Sequence, residues 1–172
     1  MPNISAQPLI LIEDELDLLA SLVPLPGAQL IELGCGAARL AADLLLRHPD
    51  ARVTGLEVDE RQMAKNLAAP ATIGLNFVNA GAQAIPFADG SFDGALMLKS
   101  LHHVPMALMA QALAEVARVL KPGGWLYVSE PVYAGPLNEI MRLFNDEAVV
   151  RAAAQQALDA ALQSGVWQAD DE

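Results

Sequence analysis

The sequence has a single cysteine and few basic residues. With Cys35 as its only cysteine, the 172-residue chain can form neither an intramolecular disulfide nor a cysteine-rich metal site. Lysine and arginine together number 10 against 21 aspartates and glutamates, so the formal net charge is −11. A nucleic-acid-binding protein needs a field of basic side chains to meet the phosphates. We therefore expect no nucleic-acid partner. No cluster of histidines and acids has metal-ligand spacing, so no metal site is predicted.

The chain also lacks long apolar runs and targeting signals. Its first residues, MPNISAQPLILIEDELDLL, have no basic flank, and three consecutive acids interrupt their apolar part. No stretch approaches the ~18 apolar residues of a membrane-spanning helix. Hydrophobic residues nevertheless make up 53% of the chain, which is enough to bury a core. We expect one cytoplasmic domain without a membrane span.

Helical and extended patterns alternate along the chain. Short apolar or β-branched stretches predict five strands, at residues 29–33, 52–57, 75–78, 92–98 and 125–129. Amphipathic stretches predict helices at residues 12–23, 39–47, 60–69, 105–120 and 136–163. Such alternation predicts an α/β fold, a doubly wound and mostly parallel sheet with helices on both faces.

The stretch IELGCGAAR, residues 31–39, joins a predicted strand to a predicted helix through two glycines. Gly34 and Gly36 allow positive φ angles and a close backbone approach to a ligand, and the first N–H groups of the helix are free to bind it. A dinucleotide loop would have a third glycine where Arg39 stands, which argues against a nucleotide-dependent oxidoreductase. Glu57 ends the next predicted strand about 20 residues later, the spacing at which an acid meets ribose hydroxyls.

Four blocks, in this order and spacing, carry a family resemblance: LIELGCGAARLA, VTGLEVDE, NAGAQAIPFADGSFDGALMLKSLHHV and VLKPGGWLYVSEP. Together they resemble the class I S-adenosylmethionine-dependent methyltransferases, and within them the small-molecule group with a methyltransferase type 11-like domain. The resemblance covers residues 28–131. It implies a Rossmann-like fold, S-adenosyl-L-methionine as cofactor and S-adenosyl-L-homocysteine as product.

The resemblance implies roles for residues around the methionine part of the cofactor. Glu32 would lie near the methionine amino group. The loop residues Gly34, Cys35 and Gly36 would lie against the methionine and the ribose. Lys99, Ser100 and Leu101, just after the fourth strand, would border the methionine and the transferred methyl group.

A second set would hold the adenosine. Glu57 would accept hydrogen bonds from the ribose hydroxyls, Val58 would pack on the adenine face, and Gly81 and Ala82 would meet the adenine edge. Many family members have an aspartate where this chain has Gly81. The missing acceptor predicts about tenfold weaker binding, because a neutral hydrogen bond contributes roughly 0.5–1.5 kcal/mol. Gln83 offers a substitute carbonyl.

The catalytic residues are less well indicated. Methyl transfer is an in-line displacement that depends mainly on positioning, and a base is needed only if the acceptor must lose a proton. His102 and His103 are the candidates for that base, although a histidine pair at a strand end more often has a structural role. The acceptor atom, which can be oxygen, nitrogen, carbon or sulfur, is not indicated.

Two further departures from the family pattern concern Ala38 and the end of the sheet. Ala38 stands where the family has its last glycine, and one methyl group is expected to be tolerated there. The residues after the fifth strand predict helix, so the family's final antiparallel strand pair is not expected. The fifth strand would then be an edge. Three explanations are open: the sequence is a fragment, a second copy of the chain covers the edge in a homo-oligomer, or the domain is a naturally shortened form.

We therefore expect one methyltransferase-like domain over residues 1–172. Its parts would be an N-terminal helical cap (1–27), a cofactor-binding core (28–131) and a C-terminal helical segment (132–172). The predicted function is transfer of a methyl group to a small-molecule acceptor. The alternative is a non-catalytic domain, or partner subunit, that binds S-adenosylmethionine or S-adenosylhomocysteine.

Overall fold

Five parallel strands form one sheet in a computed structural model that describes residues 12–169. The strands are β1 (Gln29–Leu33), β2 (Arg52–Leu56), β3 (Leu75–Val78), β4 (Phe92–Leu98) and β5 (Leu120–Ser129). Their order is β3-β2-β1-β4-β5, and all four pairings are parallel. The chain winds outward from β1 to β3 and then crosses back to β4. The switch point lies between β1 and β4, and ligands of such sheets bind at the carboxyl ends there.

Within residues 12–169, six α-helices connect and cover the strands. They are α1 (Glu15–Leu22), α2 (Arg39–Arg47), α3 (Glu60–Ala68), α4 (Met109–Val119), α5 (Pro136–Met141) and α6 (Ala148–Gln163). Two 3₁₀ turns, Leu101–His103 and Met106–Leu108, lie between β4 and α4. The predicted N-terminal cap falls partly on residues 1–11, which lie outside the described residues.

The sheet buries apolar side chains on both faces, as the alternating pattern predicted. Along β1, Leu30 packs with the buried residues of α1 and α2, whereas its neighbour Ile31 packs with those of α4 and α6. In β4, Leu96 belongs to the first cluster and Met97 to the second. This alternation follows from the two-residue period of a strand. It confirms the predicted α/β fold with helices on both faces.

Six predicted elements differ in their bounds. β2 and α3 each end one residue early, and the predicted helix at 105–120 is α4 at Met109–Val119, because a 3₁₀ turn at Met106–Leu108 precedes it. The other three differ as follows. α1 begins at Glu15 because the Asp14 side chain accepts a hydrogen bond from the Leu16 N–H, at 2.8 Å, and caps the helix. The predicted helix at 136–163 is two helices, since Asp146 accepts from the Ala148 N–H at 3.1 Å and favours a new helix start. β5 begins at Leu120, five residues earlier than predicted, and a register irregularity between Phe92 and Gly94 accommodates its glycines.

β5 is an edge of the sheet within residues 12–169, since only β4 pairs with it there. Trp125, Leu126 and Tyr127 are half-buried on this strand. A groove of about 1030 Å³ runs along it between α1 on one side and α4 and α6 on the other. The predicted edge is therefore present in this part of the chain, and association of two copies through it stays a prediction.

Across residues 12–169, none of the helices combines the length and the apolarity needed to cross a membrane.

Candidate functional site

The glycine loop after β1 closes against the loop after β4. Gly34 and Gly36 have φ angles of 68° and 52°, which favour glycine. A Cβ atom on Gly34 would lie 2.8 Å from the Ser100 Cβ, so only glycine allows this approach. A Cβ on Gly36 would meet nothing within 4 Å. The loop thus borders open space at the switch point, where a ligand of this fold binds.

Glu57 fixes the loop from the neighbouring strand. Its Oε2 accepts a hydrogen bond from the Gly36 N–H at 2.9 Å, and its Oε1 accepts from the Asp59 N–H at 2.8 Å. Asn66, on α3, donates from Nδ2 to the Gly36 carbonyl at 2.7 Å. The Gly36 backbone is therefore held at both its donor and its acceptor. Each carboxylate oxygen of Glu57 keeps a further lone pair, so the group can still accept from two ribose hydroxyls.

Glu32 is a buried acid without a hydrogen-bond partner for one of its oxygens. Glu32 is the last residue but one of β1, it is 4% exposed, and its Oε2 accepts no hydrogen bond from the described residues. Burial raises the pKa of Glu32 to about 8. The buried Ser100 Oγ nearby is also unpartnered in this part of the chain. Buried polar atoms are normally paired, so these two fit a polar ligand group, and a carboxylate fits an ammonium.

The expected adenosine side has an apolar and a polar component. Val58, next to Glu57, is 62% exposed and offers a flat apolar surface of the kind that packs on an aromatic ring. Ala82 is buried, and the Gln83 side chain occupies the space into which a side chain at Gly81 would extend. The amide of Gln83 therefore lies beside Gly81, where the family's aspartate would stand.

Cys35 and Lys99 take different positions in the two loops. The Cys35 Sγ would lie 2.7 Å from a Cβ on Gly55 of β2, so its side chain packs against the sheet. Burial raises the pKa of this thiol to about 12, which leaves it neutral. Lys99 is exposed, with a φ of 54° that is rare for a residue other than glycine. Its backbone N–H donates to the Ser129 carbonyl at 2.6 Å.

The two candidate histidines differ in their surroundings. His102 is 5% exposed, and its Nδ1 is hydrogen-bonded to Oε2 of Glu130, the residue after β5. The other oxygen of Glu130 accepts from the Leu101 N–H at 2.8 Å. His103 is exposed, and its ring lies against that of His102 with centroids 4.1 Å apart and ring planes tilted by 43°. A carboxylate on Nδ1 stabilises the tautomer with its proton there, which leaves Nε2 of His102 as an acceptor.

A second carboxylate faces the free nitrogen of His102. The Glu147 Oε2 lies 4.0 Å from the His102 Nε2, a separation too long for a hydrogen bond. Arg151 holds Glu147 with a 2.6 Å ion pair. Hydrogen bonding from Arg151 lowers the pKa of Glu147, and the nearby histidines lower it further. The His102 Nε2 therefore lies near the ionised Glu147 carboxylate without a hydrogen bond to it.

Sequence reasoning missed three residues of this site, namely Asn66, Glu130 and Glu147, whereas it expected Ser100, together with Lys99 and Leu101, beside the methionine and the methyl group. Asn66 left one readable signal, because it is a polar residue on the face of α3 that also buries Met63. Glu130 follows a predicted strand at the carboxyl edge, and this position is itself a signal. Glu147 gave no signal, since its approach to His102 depends on how α6 packs.

Known proteins are similar to this chain in sequence. The profile of a family described as a methyltransferase domain matches residues 31–128. An O-methyltransferase of Pyrenophora dematioidea is 37% identical over 121 residues, which are 68% of this chain and 44% of that protein. The 27-O-demethylrifamycin SV methyltransferase of Amycolatopsis mediterranei is 35% identical over 66% of this chain and 43% of its own length. The chain thus spans about half the length of these curated relatives.

A solved structure extends the similarity to the fold. The S-adenosylmethionine-dependent methyltransferase from Mesorhizobium loti superimposes with a TM-score of 0.58 at 26% identity. The match covers 66% of this chain and 52% of that one.

Proposed function

This chain belongs to the methyltransferase domain family, and on that premise we propose that it transfers a methyl group to an oxygen atom of a small-molecule acceptor. S-adenosylmethionine is the cofactor of the family and supplies, when bound, an activated sulfonium methyl group. The residues at the switch point fit this cofactor. Glu32 provides an unpartnered buried carboxyl group, whose pKa a bound ammonium group would lower and whose ionised form it would favour. Glu57 provides acceptors for the ribose. Val58 provides an apolar surface for its adenine.

One observation carries the choice of an acceptor that must lose a proton, such as a hydroxyl: His102 has its Nδ1 fixed by Glu130 while its Nε2 has no hydrogen-bond partner within residues 12–169. A hydroxyl acceptor must lose its proton, and a neutral imidazole nitrogen is suited to take it near neutral pH. The names of the two curated relatives refer to oxygen methylation, which supports the same choice.

The protein's further contribution is positioning and charge. Ser100 contacts the glycine loop and lies two residues before His102, so the loop after β4 links the cofactor side to the base. When His102 accepts a proton its ring becomes cationic. Glu130 and Glu147 then face this cation from both sides and stabilise it.

The test separates the base from the cofactor site. His102→Gln and Glu130→Gln are expected to lower kcat for a phenolic acceptor by about 10²–10⁴-fold. Both variants should keep wild-type affinity for S-adenosylhomocysteine, measured by calorimetry. His103→Gln is the matched control, because His103 is exposed, and should retain activity. Full activity in His102→Gln would overturn the role of this residue.

The non-catalytic alternative is supported by Gly81, which lacks the family's acid. It predicts S-adenosylhomocysteine binding without turnover of any phenol, amine or thiol acceptor. Formation of S-adenosylhomocysteine that depends on both the acceptor and His102 would rule this alternative out.

A further inference from the structure

Large apolar side chains are exposed in the segments that follow His102 along the chain. Met106 lies in the second 3₁₀ turn, and Val149 lies at the start of α6. Between β5 and α6 lie Val132, Ile140, Leu143 and Phe144. The exposed fractions of these six side chains are between 53% and 85%. A cluster of exposed apolar side chains on a folded domain commonly marks a binding surface. We call these six residues the apolar rim.

The chain itself ties the apolar rim to the histidine. Val132 lies two residues after Glu130, and Phe144 lies three residues before Glu147. At about 3.8 Å per residue, their Cα atoms are within about 8 Å and 11 Å of the two carboxylate-bearing residues beside His102. Apolar side chains therefore flank the groups that face Nδ1 and Nε2.

Polar contacts hold the segment that carries the rim. The Tyr133 hydroxyl donates to Asp146 Oδ1 at 2.6 Å, which joins the two ends of the segment. Arg151 of α6 donates to Asn138 Oδ1 of α5 at 3.3 Å. These hydrogen bonds hold the segment that carries most of the apolar rim, so its apolar side chains have a defined position.

The charges of the same segment disfavour an anionic ligand. Residues 130–151 contain four acids and two arginines. Arg142 forms an ion pair with Glu139 at 2.8 Å, and Arg151 forms one with Glu147. Neither arginine is therefore free to bind an acceptor's carboxylate or phosphate. Lys99, three residues before His102, is the nearby cation that an anionic acceptor would have to use.

We propose that the acceptor is an uncharged molecule whose large apolar part lies on the apolar rim while its hydroxyl group reaches His102. This inference rests on the proposed methyl transfer to oxygen and adds the class of acceptor. The apolar rim supplies area for the hydrophobic part, and Glu130 and Glu147 repel an acceptor of negative charge.

The experiment measures binding of 4-alkylphenols, from methyl to octyl, to the protein saturated with S-adenosylhomocysteine. Burial of one methylene is worth about a fourfold gain in affinity. We expect affinity to rise about two- to fourfold per methylene. The doubly substituted variant Leu143→Ser/Phe144→Ser should flatten this dependence. Leu46→Ser/Ile73→Ser is the matched control, because those residues are 80% and 86% exposed, at the end of α2 and before β3, away from His102.

Four results would overturn the inference. The first is an affinity that does not change with alkyl length, or no binding of any alkylphenol. The second is equal binding of 4-hydroxyphenyl alkanoic acids of the same length, with loss of that binding in Lys99→Gln. The third is that the alkyl dependence survives in Leu143→Ser/Phe144→Ser. The fourth is that this variant loses only sedimentation with phosphatidylcholine vesicles, which would make the apolar rim a lipid contact.

Failure of the proposed function gives a different result. Chain-length-dependent binding without methylation would support the apolar acceptor class and reject transfer to oxygen. Methylation of phenols without dependence on alkyl length would support transfer to oxygen and reject the apolar acceptor class.

Discussion

Replacing Glu32 with glutamine should make the protein more stable and its cofactor binding weaker. Glu32 is 4% exposed, and burial raises its pKa from the ordinary 4.5 to about 8. Because its pKa is higher in the folded state, the folded protein binds more protons than the unfolded chain between these two values. The contribution of Glu32 to wild-type stability therefore falls as the pH rises from about 4.5 to about 8, and levels off above it.

The size of the effect follows from the same two pKa values. At about 1.4 kcal/mol per pKa unit, ionisation of Glu32 costs the folded state up to about 5 kcal/mol. Glutamine has nearly the same shape and does not ionise. Glu32→Gln should gain less than about 1 kcal/mol at pH 5 and up to about 5 kcal/mol at pH 9.

Urea denaturation of both proteins at pH 5, 7 and 9 measures this difference. Glu115→Gln is a control of opposite sign: hydrogen bonding from Arg118 lowers the pKa of Glu115, so its loss should destabilise the protein above about pH 4.5. Calorimetry with S-adenosylhomocysteine should show weaker binding to Glu32→Gln. A stability difference that does not grow with pH would refute the reasoning, as would a Glu32→Gln variant less stable than wild type at pH 9.

Three other perturbations address the rest of the site and the sheet edge. Glu57→Ala should weaken S-adenosylhomocysteine binding by one to two powers of ten in calorimetry, since a charged acceptor contributes about 1.5–3 kcal/mol; unchanged affinity would place the ribose elsewhere. Gly81→Asp should tighten the same binding, with displacement of the flexible Gln83 side chain, and a loss of affinity would argue against adenine at this position. Leu126→Pro should convert a dimer to a monomer in sedimentation analysis, if two copies pair through β5. The Lys99 N–H bonds to the Ser129 carbonyl, so the backbone groups of Ser129 face β4. Backbone direction alternates along a strand, so the Leu126 N–H points away from β4, on the open edge where proline is tolerated. A wild-type monomer would reject that association.

The sheet was readable from the sequence because local patterns determine it. The predicted bounds of β1, β3 and β4 agree with the structure to the residue. Short apolar runs bounded by glycine and proline are strong local signals. The start of β5 was missed, because its Pro122-Gly123-Gly124 stretch carries a turn signal that the pairing with β4 overrides.

The site was readable only where its residues follow strands. Glu32, Gly34, Gly36 and Glu57 all lie at strand ends, and the structure brings them together at the switch point. The contact of His102 with Glu130 spans 28 residues, and no local periodicity encodes such a distance. The second hydrogen-bonding role of Glu57, holding the glycine loop, likewise needed three-dimensional coordinates.

The chain places its two tasks in successive stretches. Residues that fit the cofactor precede His102, and the segment that carries the apolar rim follows it almost entirely. The short loop after β4, from Lys99 to His102, connects these two stretches of the chain. On the proposed acceptor class, exchange of residues 131–146 would alter which molecule is accepted while the cofactor site and the two carboxylates beside His102, Glu130 and Glu147, are inherited unchanged. Related proteins with this arrangement would change their acceptor by exchange of one short stretch of the gene.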